Sequence, residues 1–129
     1  MSAGVTGVAF DAARASDAAA LVGADDLVVL NGVAHHLDDD ELAACTEAAR
    51  RARGLILLDH WRRAGETPRV TRFLQDHDRG RHVRDYAAFA ALRGFRTLSS
   101  EVFPIGLAGL RLWLYFCNSY RPEADGERA

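Results

Sequence analysis

Two runs of four aliphatic residues, Leu27–Leu30 and Leu55–Leu58, constrain this chain most, because each is apolar on both faces of an extended backbone. Such a run needs cover on both sides, the condition of a central strand in a parallel sheet. Between the runs, Asp38, Asp39 and Asp40 precede a segment in which Leu42, Cys45, Ala49 and Ala52 recur at helical spacing. Acidic residues suit the positive end of a helix dipole, and Arg50, Arg51 and Arg53 stand where its negative end is expected. Gly54 is the expected stop. Strand, helix and strand joined by short connections imply a right-handed crossover and a parallel pair.

The flanking segments read as follows. Val5–Phe10 is a short apolar run and predicts a buried strand, and Ser16 is a candidate N-cap for the Ala-rich stretch Asp17–Val22. Downstream, Gly65 and Pro68 mark a polar loop, and Val70, Phe73 and Leu74 predict a helix from Pro68 to His77. A second helix is expected over Asp85–Arg93, closed by Gly94. Phe95–Phe103 and Leu110–Asn118, joined by the Gly-containing PIGLAG, predict a terminal hairpin, with a polar tail after residue 120.

Length and composition narrow the function classes. The 129 residues suffice for one core, and a formal net charge of −2 gives no general attraction to nucleic acid or anionic lipid. The N-terminus lacks a basic region followed by an apolar stretch, so no signal peptide is expected. The apolar run Leu110–Cys117 contains Arg111 and is far shorter than the roughly 20 residues a membrane helix needs. Cys45 and Cys117 form no CxxC pair, and no Cys/His spacing resembles a zinc site. A soluble cytoplasmic protein with reduced thiols is the expectation.

Strand, NGVAHHLDDDEL, helix, GLILLDH, a helical insert, a helix ending in GF and a terminal hairpin, taken in that order, resemble the second half of a small class I S-adenosylmethionine-dependent methyltransferase. The resemblance spans about residues 5 to 120. Asp26 with Leu27–Leu30 matches the family's fourth strand, His35-His36-Leu37 the loop after it, and Asp59 the end of the fifth strand. Asp78 to Arg84 is similar to a DRGxxVR element of a bacterial branch of the superfamily. The fold so implied is α/β, a three-layer Rossmann-like domain truncated at its N-terminus, with parallel strands and an antiparallel final strand. The activity so implied is methyl transfer from S-adenosylmethionine to a small molecule.

The family binds its cofactor through a DxGxGxG loop after the first strand and an acidic residue ending the second. Glycines there let backbone N–H groups approach the ligand, and the carboxylate accepts the ribose hydroxyls. These 129 residues contain no DxGxGxG. VTGVAFD matches either the second strand, making Asp11 the ribose acid, or the third, placing Asp11 and Ala12 beside the adenine. About fifteen residues separate Asp11 from the fourth strand, which favours the second alignment. Without a first strand beside it, Leu27–Leu30 becomes an apolar edge awaiting Val5–Phe10, a second copy in a homodimer, or a partner chain. The isolated chain is then expected to be marginal, dimeric or aggregation-prone, and a non-catalytic remnant or half of a split enzyme is the competing reading.

Within the resemblance, Asn31 and Gly32 line the methyl-donor pocket at the carboxyl end of the strand, where α/β folds bind ligands. His35 and His36 are the candidate bases for an acceptor that loses a proton; the bland alternative is a structural hydrogen-bonding role. Adjacent histidines rarely converge on a metal, so no metal site is expected. Asp59 and His60 either face the acceptor or cap the next loop. Arg79, Arg81 and Arg84 either recognise an acidic acceptor or form a solvated basic loop. Trp61, Trp113 and Tyr115 read as packing residues.

Overall fold

β1, Leu27–Asn31, lies parallel to β2, Gly54–His60, with Leu27 opposite Gly54 and Asn31 opposite Leu58. The structure is a computed structural model, and it describes residues 14, 17, 20–61, 68–77, 82–107 and 110–124. The expected strand at Val5–Phe10 and the candidate cofactor residues Asp11 and Ala12 lie outside the described residues, as do Ser16, Ala18 and Ala19 of the following Ala-rich stretch.

Between the two strands runs α1, Asp39–Ala49. Its start is a capping box, in which the Asp38 carboxylate accepts the Glu41 backbone N–H at 2.8 Å and the Glu41 carboxylate accepts that of Asp38 at 3.1 Å. The helix ends earlier than its charge pattern suggested. Arg50 is the C-cap residue and no basic residue lies in the last turn. Gly54 opens β2 instead of stopping the helix.

α2, Arg69–His77, falls where Pro68 and the apolar spacing placed it. α3, Ala87–Ala90, is one turn, shorter than the helix expected over Asp85–Arg93. β3, Phe95–Leu107, and β4, Leu110–Pro122, form a long antiparallel hairpin extending past both expected ends.

The sheet is mixed and four-stranded, in the order β1-β2-β4-β3. The last strand therefore inserts between β2 and β3, antiparallel to both. Register puts Val28, Leu30, Leu55, Leu57, Asp59, Phe116, Asn118 and Tyr120 on one face. That face carries the core, where Leu55, Leu57 and Phe116 are fully buried against Ala49 of α1 and Phe89 of α3. Each such side chain contributes about 1.5–3 kcal/mol relative to exposure, more than any single capping or dipole contribution.

The opposite face differs from the sequence expectation. Cover on both sides of Leu27–Leu30 was expected, yet Leu27 is 47% and Val29 55% exposed, and β1 ends the sheet among the described residues. An all-aliphatic run records that both faces avoid water without saying which element of which chain supplies the cover. Cys45 is buried, Cys117 is half-buried, and both are free thiols. Burial pushes the Cys45 thiol up, with a smaller contribution from the Glu41 charge. No helix among the described residues is long and apolar enough to cross a membrane.

Candidate functional site

At the carboxyl end of β1 the chain leaves the sheet through Gly32. Its φ of +63° is a left-handed conformation that glycine adopts at little cost, and its N–H donates to the Leu58 carbonyl at 2.8 Å. Among the described residues, apart from its two chain neighbours, no atom lies within 4 Å of where a Cβ would stand, so these residues leave the space beside Gly32 open. Asn31, just before it, is exposed. Asn31 and Gly32 thus sit together at the strand end, as the sequence reading placed them.

A single 3-10 turn, Ala34–His36, then folds back over the end of β2. His35 is buried while its neighbour His36 is exposed, although their rings lie 4.0 Å apart. The two candidate bases therefore differ in kind. His35 is anchored twice by Asp59, the last-but-one residue of β2. Its backbone N–H donates to Asp59 Oδ2 at 3.0 Å and its ring Nδ1 meets Oδ1 at 2.7 Å. Asp59 itself is 1% exposed, and its Oδ1 also accepts the His60 backbone N–H at 2.8 Å. The His60 ring stands 4.2 Å from that of His35 and 5.8 Å from that of Tyr115.

The sequence treated Asp59 and His60 as separate from the histidine pair. Folding makes one cluster of His35, Asp59 and His60, and leaves His36 at its exposed margin. The only sequence signal for this was position, since residues at the carboxyl ends of adjacent parallel strands share one end of the sheet.

The turn is locked from outside by Arg84. Its Nη1 donates to the Ala34 carbonyl and its Nη2 to the Leu37 carbonyl, each at 2.8 Å, while Nε and Nη2 reach Asp39 Oδ1 at 3.1 and 2.8 Å. The His82 backbone N–H adds a bond to the His35 carbonyl at 3.0 Å. Arg84 is thus committed to holding the turn, which replaces both sequence readings of it, acidic-acceptor recognition and a solvated loop. Arg79 and Arg81 lie outside the described residues. The Arg84 guanidinium, by hydrogen bond first and by charge second, holds the Asp39 carboxyl below its ordinary value of 3.8.

Beyond β2, Trp61 is buried in the core as expected, and its ring lies 5.1 Å from that of Tyr86. Together with Asp85, Ala87, Ala90 and Val102 these two line an open groove of about 500 Å³. Tyr115 packs near His60, and the Trp113 side chain lies outside what is described.

Chemically, a buried carboxylate on the Nδ1 side of an imidazole fixes its orientation and stabilises its protonated form, which is the arrangement of an oriented general base. No protein-family model matches the chain, and no curated protein matches it.

Proposed function

We propose that the chain is an S-adenosylmethionine-dependent methyltransferase acting on a small molecule, with His35 as general base and Asp59 as its orienting partner. The observation that carries this reading is the double anchorage of His35 by Asp59 at the carboxyl end of the parallel pair. The parallel pair joined through an acid-started helix, followed by an antiparallel hairpin, accords with the fold that the family resemblance implies.

Asn31 and Gly32 supply one wall for the cofactor, where the open space beside Gly32 admits close backbone approach. The Gly-rich loop for its other side is not among these 129 residues. When bound, S-adenosylmethionine supplies an electrophilic methyl group. The chain's own share of the reaction is positioning and proton removal. A His35 that donates Nδ1–H to Asp59 carries its basic lone pair on Nε2, which takes the proton the acceptor loses, and Asp59 stabilises the resulting imidazolium.

Calorimetric titration of S-adenosylmethionine into the purified chain tests this reading. Saturable micromolar binding, weakened about tenfold by Asn31→Ala, is expected for loss of one hydrogen bond to the ligand. Absence of heat would overturn an autonomous enzyme and favour the second reading, a non-catalytic relative or one half of a split enzyme. The exposed Leu27 and Val29 on β1 favour that alternative, because a donor-side chain would cover them.

A further inference from the structure

We propose that His35, Asp59 and His60 form a binding site for one divalent transition-metal ion, with zinc the best match. Ligand atoms from all three side chains lie within 4.8 Å of one another, and all three residues are buried. Both imidazole Nδ1 atoms face the same carboxylate oxygen, Asp59 Oδ1, His35 at 2.7 Å and His60 at 3.4 Å. In a tetrahedral zinc site with bonds of about 2.0–2.1 Å, neighbouring ligand atoms stand roughly 3.3 Å apart. The His60 spacing already meets this, and the His35 spacing needs to open by about 0.6 Å, a shift that ring rotation can supply.

Asp59 is held in place for this task by two backbone N–H groups, that of His35 on Oδ2 and that of His60 on Oδ1. Outer-shell bonds of this kind fix the direction of a metal-binding carboxylate. Two imidazoles and one carboxylate suit zinc and its first-row neighbours, whereas calcium and magnesium prefer shells of oxygen. Among the described residues, the side chains that reach the Asp59 carboxylate are the two imidazoles, with no arginine or lysine paired to it. A buried carboxylate needs a countercharge, and a dication provides it.

On binding, the neutral His35 ring shifts its proton from Nδ1 to Nε2. Three protein ligands leave a fourth position for water or an acceptor oxygen, the pattern of a site that exchanges ligands. The inference does not rest on the methyltransferase reading; with the ion bound, Nδ1 is a ligand and Nε2 carries the proton, so the metal-bound form and the form in which His35 acts as base exclude one another.

Cobalt(II) is the probe. Cobalt chloride titrated into the purified, chelator-stripped chain should give visible d–d absorption bands that saturate at one equivalent and disappear on adding zinc. His60→Gln should weaken binding on the order of a hundredfold or more, since even losing a supporting partner of a ligand costs 10- to 100-fold. His36→Gln, at the exposed margin of the cluster, should bind as the parent does. A folded parent chain that shows no bands and retains no zinc after desalting overturns the site. Binding that survives both His60→Gln and Asp59→Asn, or that His36→Gln abolishes, overturns it equally.

Discussion

Asp59 and His35 are 24 positions apart, yet the carboxylate of one takes both the backbone N–H and the ring Nδ1 of the other. One side chain thus fixes the path of the turn and the attitude of the imidazole together, and the first prediction concerns its loss.

Asp59→Ala removes the carboxylate that the buried His35 ring and the backbone N–H groups of His35 and His60 share. It should lower stability by about 3 kcal/mol, the scale of breaking a buried pair, while Asp59→Asn, which keeps the shape, should cost about half as much. Urea unfolding of the three proteins checks this. Equal stability of Asp59→Ala and the parent would mean that Arg84 and the His82 backbone hold the turn without Asp59.

Arg84→Met keeps much of the stem and removes every donor. The Ala34 and Leu37 carbonyls then lose their partners, and a cost of roughly 1–3 kcal/mol is expected. The pH dependence has a defined sign. Asp39 is held below its ordinary value, so its contribution is fully present above 3.8 and is lost as pH falls through the lower folded value. The gap between the acid unfolding curves of the parent and Arg84→Met should therefore narrow by the Asp39 share as pH falls below 3.8, leaving the part due to the two carbonyls, and a gap that does not change there would contradict the pairing.

Tyr120 tests the other end of the pH scale. Its side chain is buried, its hydroxyl donates to the Phe89 carbonyl at 2.7 Å, and burial pushes its pKa up to about 12. The raised value means that its contribution is complete below the ordinary 10.0 and disappears as pH rises through about 12. Absorbance at about 295 nm, where tyrosinate absorbs, should show one of the three tyrosines ionising late, coincident with unfolding, and Tyr120→Phe should abolish that step.

Val29→Lys addresses the uncovered face of β1. A lysine at this exposed position should leave unfolding within about 0.5 kcal/mol of the parent and shift any dimer or aggregate to monomer. Analytical ultracentrifugation reads the outcome. Unchanged association would place the contact elsewhere, for instance at exposed Leu98 and Val102 on β3.

How far the sequence anticipated these features depends on range. β1, β2 and α1 follow from local patterns, two aliphatic runs and an acidic helix start, and all three appear within a few residues of expectation. α3 shrank to one turn because apolar spacing at Tyr86, Phe89 and Leu92 records burial without guaranteeing continuous helix. The His35–Asp59 pairing and the Arg84 bonds were invisible for a different reason. They span 24 to 50 positions, and Arg84 spends its charge largely on backbone carbonyls, which carry no sequence signature.

The placement of β4 between β2 and β3 has a consequence for how the chain acquires its structure. The strand latest in sequence among the described residues occupies an interior position, so during synthesis β2 keeps an unpaired side until residues near 122 have emerged. Native pairing must then join segments some 60 positions apart, as Leu55 with Tyr120, which delays closure of the sheet relative to the local helix. A nascent chain of this kind keeps an open edge on β2 until β4 has emerged, so its sheet closes in one late step rather than strand by strand.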